Sequence, residues 1–305
     1  MSSWRKIGRI WDPSVDGLIG TTHATLPVPV LFDDRVRVIY TARDRDGRSC
    51  GAWFDFRPDA PGSVLDAATS VSLVPGRPGF FDDAGAMPSA AWWRGGTLEL
   101  LYVGWNLSHS VPFRNAIGLA YSTDGGRSFV KRFDGPVADR SPVDPAFATG
   151  PFVLPGDRLR MWYASCIEWV TTEDGPRHRY HLKYAESEDG VQWEREGLVA
   201  LDFEGEHEYA MSRPAVLFDE GAYRMWFPAR GDSYRIYYAE SEDGRAFTRR
   251  PGIALDVSAA GWDSQMTAYP AVFDWHGQRY MLYNGNDYGR TGIGLAVLEC
   301  AGNAR

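Results

Sequence analysis

The sequence of 305 residues lacks several features that would define its class at once. Its three cysteines, Cys50, Cys166 and Cys300, are an odd number without CxxC spacing, so neither a disulfide framework nor a zinc site is predicted. No stretch approaches the roughly 20 apolar residues of a membrane span, and the first residues include no apolar run of signal-peptide length. We therefore expect a cytoplasmic protein with no membrane partner.

Basic charge is also scarce. The chain has 32 Lys and Arg against 40 Asp and Glu, a net charge of −8. A nucleic-acid partner is not predicted, because binding a phosphate backbone requires a basic surface. Low-complexity segments and polar linkers are absent too. Length alone favours about two domains, unless one closed all-β architecture takes up the whole chain.

Turn formers and aromatic residues are abundant instead. The chain contains 33 Gly, 19 Pro, 12 Trp, 15 Tyr and 15 Phe. Aromatic residues favour strands, and glycine and proline favour tight turns, so this composition argues against a helical bundle. We expect an all-β protein.

A repeat of about sixty residues organises the chain. Each copy has a proline entering an apolar strand, a second strand ending in an aromatic residue, and a third strand leading into Ser-x-Asp-Gly-x-x-aromatic. The clearest prolines are Pro88, Pro151, Pro214 and Pro270, and the turns start at Ser122, Ser187 and Ser241. A degenerate first copy includes Leu26-Pro27, which brings the count to five.

Five units of three clear strands each predict a five-bladed β-propeller that occupies 1–305 as a single domain. The blades are expected at approximately 20–75, 83–137, 146–203, 209–257, and 266–300 together with 3–12. The last unit stops after its third strand, and Trp4–Asp12 repeats the pattern of the missing fourth strand. We therefore expect the N-terminal strand to complete the last blade and close the ring.

One rim of such a propeller gathers the residues just before each first strand and just after each second strand. Aligned on the second-strand aromatics, the sequence places Arg43, Trp105, Cys166, Arg230 and Asn286 at one position, with Asp44 and Asn106 among those at the next. A structural position would repeat one residue type, so this variety predicts a ligand site. The segments before the first strands add His23, Arg213 and Tyr269.

Acidic residues also precede the first strands, among them Asp82, Asp83, Glu208 and Asp263. Like charges that converge raise one another's pKa, which can make a general acid beside a carboxylate base. Turn capping by these residues is the alternative. No metal site or cofactor is predicted, because Glu206-His207-Glu208 has no recognisable ligand spacing. We interpret the Ser-x-Asp-Gly turns as structural and Cys166 as a packed thiol.

The repeat, with its tyrosine-rich second strands, resembles the five-bladed glycoside hydrolase superfamily. This superfamily includes families 43, 32 and 68 and the mannoside phosphorylases of family 130. The resemblance spans nearly the whole chain. It implies a glycosylase-like group marked here by Gly79–Gly85, Gly104-Trp-Asn106 and Tyr283-Asn-Gly-Asn286.

The resemblance also implies an Asp in blade one, an Asp in blade two and a Glu before a Gly-Pro in blade three. This sequence departs from that plan, because Thr149 precedes Gly150-Pro151 and His23 stands where the first Asp is expected. The nearest blade-three acid is Glu168. As a substitute catalytic pair we predict Asp82 or Asp83 with Glu208.

The leading hypothesis is a carbohydrate-active enzyme that cleaves or transfers a glycosyl unit by carboxylate acid–base chemistry. Trp105 or Trp169 would stack on a sugar face, and Asn106, Asn284 and Asn286 would bind hydroxyl groups. Arg43, Arg213 and Arg230 suit a phosphate or carboxylate, which favours phosphorolysis or a small phosphorylated, nucleotide-linked or otherwise anionic sugar substrate. The alternative is that Arg43 pairs with Asp44 and Arg213 with Glu208. Phosphorolysis, a non-hydrolytic biosynthetic step such as isomerisation, cyclisation or group transfer, and a sugar-binding propeller without turnover remain alternatives. The oligomeric state stays open.

Overall fold

The computed structural model describes residues 3–14 and 22–299. Within these ranges the chain is almost entirely β, with 21 strands and one four-residue helical turn, α1 (Asn286–Gly289). The all-β prediction is therefore confirmed. In this part of the chain no helix is long and apolar enough to cross a membrane.

The strands follow one another in five groups, preceded by β1 (Ser3–Trp11). Group 1 comprises β2 (Thr25–Leu31), β3 (Val36–Arg43), β4 (Ser49–Phe56) and β5 (Val64–Ala67). Group 2 comprises β6 (Gly85–Arg94), β7 (Thr97–Leu107), β8 (Phe113–Ser122) and β9 (Val130–Lys131). Group 3 comprises β10 (Phe147–Leu154), β11 (Leu159–Thr172), β12 (Gly175–Ser187) and β13 (Val199–Leu201).

Group 4 has a broken first strand, made of β14 (Ala210–Met211) and β15 (Ala215–Asp219), followed by β16 (Ala222–Arg230), β17 (Tyr234–Ser241) and β18 (Thr248–Arg249). Group 5 comprises β19 (Ala268–Trp275), β20 (Gln278–Asn284) and β21 (Ile293–Glu299). Strand β1 pairs antiparallel with β21, from Ser3 opposite Glu299 to Trp11 opposite Ile293. The first strand of the chain therefore completes the last group, as its sequence pattern predicts.

Within each group the consecutive long strands pair antiparallel, as hairpins do. Single parallel bridges connect groups 1 and 2, at Ser49 and Gly85, and groups 3 and 4, at Tyr180 and Ala210. The hydrogen-bonded ladders therefore form three sheets, of four, eight and nine strands. Strand β4 is buried along its whole length, whereas β1 alternates between exposed and half-buried residues, as an outer strand does.

The first strands of the groups contact one another in a cycle. Strand β2 contacts β6, β6 contacts β10, β10 contacts β15, β15 contacts β19, and β19 contacts β2. The apolar core lies between neighbouring groups; in one cluster Trp11 stacks on Phe54 with ring centroids 4.4 Å apart. This arrangement brings the starts of the five first strands together around one centre.

Each first strand is irregular where its repeat proline stands. Pairing shifts register between Thr25 and Val28 in β2, and at the corresponding place in β6, β10 and β19. Proline has no N–H to donate, so the ladder is interrupted at these positions. The irregularity turns the residue before each proline toward the centre of the cycle.

The Ser-x-Asp-Gly turns are structural, as predicted. In the turn at Ser122, the carboxylate of Asp124 accepts hydrogen bonds from the backbone N–H groups of Arg127 and Ser128. Asp189 and Asp243 accept equivalent bonds in the other two turns. Burial opposes the charge of Asp124, but its hydrogen bonds, first of all those from Ser122 and Ser128, lower its pKa to about 2.

Candidate functional site

A cavity of about 270 Å³ lies at the centre of the cycle of first strands. We call it the central cavity. All five groups contribute to its walls, and many of the residues are aromatic or carry a hydroxyl group. It is lined by Leu26, Met87, Val103, Phe113, Asn115, Thr149, Gly150, His178, Tyr180, Ser212, Arg230, Tyr234, Tyr269 and Tyr288.

Strained backbone surrounds this cavity. Leu26, Tyr269 and Tyr288 have φ angles of 57°, 50° and 56°, in the left-handed region that non-glycine residues seldom adopt. Leu26 and Tyr269 are residues before repeat prolines, and Gly150, with φ 54°, occupies the same place in group 3. Such strain persists only where the surrounding structure enforces it, and it is concentrated at functional sites.

A buried amide holds one of these strained residues in place. Asn284 accepts a hydrogen bond from the backbone N–H of Leu26 at 2.9 Å and donates to the carbonyls of Ala24 and Gly292. Its side chain is fully buried. Asn284, predicted as a sugar ligand, therefore supports the cavity wall from behind.

Three of the lining residues occupy one equivalent position in the third strands. Asn115, Tyr180 and Tyr234 lie opposite Trp105, Cys166 and Arg230 of the second strands. The hydroxyl groups of Tyr180 and Tyr234 are 2.8 Å apart and share a hydrogen bond, and Asn115 donates to Thr149 at 3.0 Å. This position supplies a row of side-chain hydrogen-bonding groups.

The aromatic groups of the wall are uncharged near neutral pH. Burial raises the pKa of Tyr180, Tyr234 and Tyr269 well above the usual value. His178 stacks on Tyr180 with ring centroids 4.6 Å apart, and burial, with Arg230 and Arg177 nearby, lowers its pKa to about 4. The cavity therefore offers neutral hydroxyl and imidazole groups for hydrogen bonding.

Arg230 is the charged residue of the wall. Its guanidinium donates to the hydroxyl of Tyr288 and lies 5.4 Å from the ring centre of Tyr209 and 5.7 Å from that of Tyr234. Burial opposes the charged form, but the surrounding tyrosines, Tyr288 first, raise the pKa of Arg230. Among the described residues, none of the side chains lining the cavity is a carboxylate.

Arg213 occupies the centre of the cycle behind the wall, where it is 1% exposed. Its guanidinium donates to the carbonyls of Pro27 in group 1, Ser89 in group 2, and Tyr269 and Pro270 in group 5, at 2.9–3.1 Å. Burial lowers its pKa to about 9. The alternative that it pairs with Glu208 is wrong; it connects the first strands of the groups through their backbones.

The acidic residues before the first strands mostly form structural clusters inside their own groups. Asp82 is 2% exposed, accepts a hydrogen bond from Tyr102 at 3.0 Å and forms an ion pair with Lys131. Asp144 and Asp263 accept from the equivalent Tyr163 and Tyr283 in the same way. Their cations are Arg195 at 2.7 Å and Lys6 at 2.6 Å.

Glu208 belongs to the same series. Its two carboxylate oxygens each accept a hydrogen bond from Arg249 at 2.9 Å, and Phe227 stands where the other groups have the tyrosine. Neither Asp82 nor Glu208 lines the central cavity. Each is held by a cation of its own group, and no contact joins the two carboxylates among the described residues.

Asp83 differs from its neighbour. It is half-buried and accepts one hydrogen bond, from the backbone N–H of Gly79 at 2.8 Å. It has no ion-pair partner among the described residues, and it does not line the central cavity.

A second set of predicted rim residues clusters beside group 1. Arg43 lies over the ring of Trp105, 5.4 Å from its centre, and donates to the carbonyl of Gly47, whereas Asp44 pairs with Arg48. The alternative that Arg43 pairs with Asp44 is therefore wrong. Burial lowers the pKa of His23, and Arg43 adds to the effect, so the two side chains are neighbours.

The remaining predicted residues lie at various distances from the cavity. Trp169 contacts two of its lining residues, Phe113 and His178, with ring centroids 5.3 and 5.6 Å apart. Asn106 is half-buried at the end of β7. Asn286 accepts hydrogen bonds from the backbone N–H groups of Gln265 and Met266, which fixes a loop.

Sequence reasoning found Arg230 and Tyr269 among the lining residues and missed most of the others. A signal for some of them was present. Asn115, Tyr180 and Tyr234 each stand seven residues before the serine of a Ser-x-Asp-Gly turn, so the repeat gives their common position. Leu26, Met87 and Gly150 each precede a repeat proline.

The fold resembles that of solved glycoside hydrolases. A structure described as a glycoside hydrolase has a TM-score of 0.75 at 16% identity, covering 98% of this chain and 92% of that one. The protein BT0996, solved as an RGII complex, has the same TM-score and coverage at 15% identity. A thermostable family-43 glycoside hydrolase has a TM-score of 0.61 at 13% identity, covering 95% and 91%. The chain therefore shares the fold of these structures.

No protein-family model matches the sequence. Two proteins of Mycobacterium tuberculosis, the uncharacterized proteins MT1551 and Rv1502, are each 43% identical to it over 302 residues. These alignments cover 97% of this chain and 99% of each relative. The chain belongs to the family of these two proteins.

Proposed function

We propose that the protein is a carbohydrate-active enzyme that binds one sugar unit in the central cavity. The cavity itself carries the proposal, because it combines aromatic walls with hydroxyl, amide and imidazole groups suited to a polyhydroxylated ligand. Its 270 Å³ is at the small end of ligand sites, which favours a single sugar unit over an oligosaccharide. The glycoside hydrolase-like fold supports the same class of ligand.

We also propose that the five strand groups are the blades of one five-bladed propeller. The cycle of contacts between the first strands supports this arrangement, as does the pairing of β1 with β21. The hydrogen bonds of Arg213 to three other groups support it further. In such a ring the central cavity lies on the axis, where the loops of all blades converge.

Hydrolysis with Asp83 as an acid or base is a second candidate. Two-carboxylate hydrolysis needs carboxyl groups about 5 to 9.5 Å apart at the bound sugar. Asp82 and Glu208 are each neutralised by a cation, whereas Asp83 has none among the described residues, and this observation favours Asp83 over the other two. Asp83 does not line the cavity, so this candidate requires a ligand that extends beyond the cavity walls.

The test is a binding and turnover screen with paired tyrosine variants. Monosaccharides and aryl glycosides are titrated by calorimetry and assayed for turnover, with and without inorganic phosphate. Tyr234→Phe and Tyr180→Phe each remove a cavity hydroxyl and should weaken binding about 2- to 10-fold, the contribution of a neutral hydrogen bond.

Tyr280→Phe is the matched control, since Tyr280 is buried in group 5 away from the cavity walls. Binding that all three variants retain equally would refute the cavity as the sugar site. Asp83→Asn separates the second candidate, because loss of turnover with unchanged binding would assign chemistry to Asp83.

A further inference from the structure

The central cavity has an unbalanced positive charge in an otherwise acidic protein. The chain as a whole carries a net charge of −8. Arg230 is nevertheless the one ionised side chain among the described lining residues, because the low pKa of His178 keeps it neutral above about pH 4. The wall therefore presents a cation with no matching anion.

The guanidinium of Arg230 also has unused hydrogen-bond donors. One terminal nitrogen donates to Tyr288, while the other terminal nitrogen and Nε have no acceptor among the described residues. Arginine can donate five N–H bonds in a planar fork that matches phosphate or carboxylate oxygens. Two free nitrogens on one edge are what a bidentate contact to such a group requires.

Further arginines around the cavity lack carboxylate partners as well. Arg213 donates only to backbone carbonyls, and Arg43 only to the carbonyl of Gly47. Arg177 stacks over Tyr209, 4.5 Å from the ring centre, and forms no ion pair with a described residue. Elsewhere in the described chain, buried or half-buried arginines such as Arg37, Arg158 and Arg279 pair with Asp or Glu, whereas exposed ones such as Arg45 and Arg140 do not.

A buried cation without a counter-ion is costly, and an anion brought close to it recovers part of that cost. Arg213 is buried directly behind Tyr269 and Gly150, both of which line the cavity. At the effective dielectric constant of about 20 that applies near a protein surface, charges several ångströms apart still attract each other appreciably. The field of Arg213 therefore adds to the direct contact offered by Arg230.

We propose that the ligand of the central cavity carries an anionic group, a phosphate or a carboxylate, which Arg230 binds through its free nitrogens. This inference rests on the proposed sugar site and names its substrate class: a sugar phosphate or a sugar acid. The two sources share the same oxygen-donor chemistry, so they are distinguished by experiment.

The test compares matched probes by calorimetry at one ionic strength. Glucose, mannose and galactose are each titrated beside their 6-phosphates and the corresponding uronates, together with inorganic phosphate alone. For the sugar that the site accepts, the 6-phosphate or the uronate should bind about 10- to 100-fold more tightly than the neutral sugar, as expected for hydrogen bonds to a charged group. The phosphate and uronate arms show which anion the site takes.

Variants assign the effect to Arg230. Arg230→Gln should remove the preference for the anionic probe, and Arg230→Lys, which keeps the charge without the fork, should retain part of it. Arg57→Gln is the matched control, because it removes one positive charge from an exposed arginine at the far end of β4. Thermal unfolding checks that each variant is folded, and competition by inorganic phosphate tests the wild type without any substitution.

Each outcome is decisive. Equal binding of neutral and anionic probes, with the tyrosine variants still weakening both, would overturn the anion preference and leave the sugar site standing. A preference that survives in Arg230→Gln would overturn the role of Arg230. If no sugar or sugar derivative binds, the proposed function fails, and this inference fails with it.

Discussion

Replacing Asp82 by Asn should destabilise the fold, whereas replacing the adjacent Asp83 by Asn should not. The carboxylate of Asp82 is 2% exposed and holds both Tyr102 and Lys131, whose side chain is 20% exposed. Asn keeps an acceptor for Tyr102 but leaves the ammonium of Lys131 without its anion. Breaking a buried pair at one partner costs about 3–5 kcal/mol, and partial exposure of Lys131 reduces this to about 2–4 kcal/mol.

Asp83 provides an internal comparison. It is half-buried and accepts only the N–H of Gly79, a bond that Asn can also accept, so about 0.5 kcal/mol or less is expected. Urea unfolding of the two variants should therefore differ by at least about 1.5 kcal/mol. Lys131→Met should cost much less in the Asp82→Asn background than in the wild type, because the two residues are coupled.

The competing role for Asp82 is catalytic, and the same variants test it. If Asp82→Asn unfolds like the wild type and instead loses sugar turnover, the structural assignment is refuted. If Asp83→Asn is the destabilised variant, the contacts ascribed to the two residues are wrong. Asp144→Asn and Asp263→Asn should behave like Asp82→Asn, since each carboxylate has the same kinds of partner.

Two further predictions concern the cavity wall. Gly150→Ala should lower the free energy of unfolding by at least about 1 kcal/mol more than Gly277→Ala does. Both glycines have positive φ, but only at position 150 would an added Cβ meet backbone atoms, those of Arg213 at 3.2 Å. Equal unfolding free energies of the two variants would contradict this. Burial, with nearby arginines, lowers the pKa of His178 from 6.5 to about 4. As the pH falls from 6.5 to 4, the unfolded chain therefore protonates this histidine before the folded chain does, and the free energy of unfolding decreases. In urea unfolding, the free energy of unfolding of His178→Phe should decrease less than that of the wild type between pH 6.5 and 4. A variant of the exposed His109 should show the same decrease as the wild type.

The strand pattern could be predicted because each repeat carries its own local signals. Pro at the first strand, Ser-x-Asp-Gly after the third and alternating apolar residues between them fix each group without reference to the others. The pairing of β1 with β21 was predictable for the same reason, since Trp4–Asp12 repeats a fourth-strand pattern. The short fourth strands β9, β13 and β18 were harder to delimit, because their few ladder bonds leave little sequence periodicity.

The role of the acidic residues depended on distant partners. Lys131, Arg195 and Arg249 lie 49, 51 and 41 residues beyond the acids that they bind. A sequence signal for them exists, since each stands two residues after the aromatic that ends the Ser-x-Asp-Gly-x-x-aromatic motif. Lys6 follows Trp4 in the same way. The Ser-x-Asp-Gly turns were recognised as structural because the same residues recur at the same place in several repeats. An acid whose cation recurs in the same way is structural for the same reason.

The same recurrence distinguishes the residues that stabilise each strand group from those that line the central cavity. Positions that hold the same chemistry in several groups, such as the acid, the tyrosine and the cation, bind one another and stabilise each group. The shared position of Asn115, Tyr180 and Tyr234 instead holds an amide in one group and a phenol in two others, and it lines the central cavity. In the proposed propeller, equivalent positions of the groups face one centre, so differences between the repeats are what distinguish one side of a bound ligand from another. At the proposed ligand site, substitution of the tyrosines and Arg230 should therefore change which ligand is bound. Substitution in the acid clusters should change stability instead.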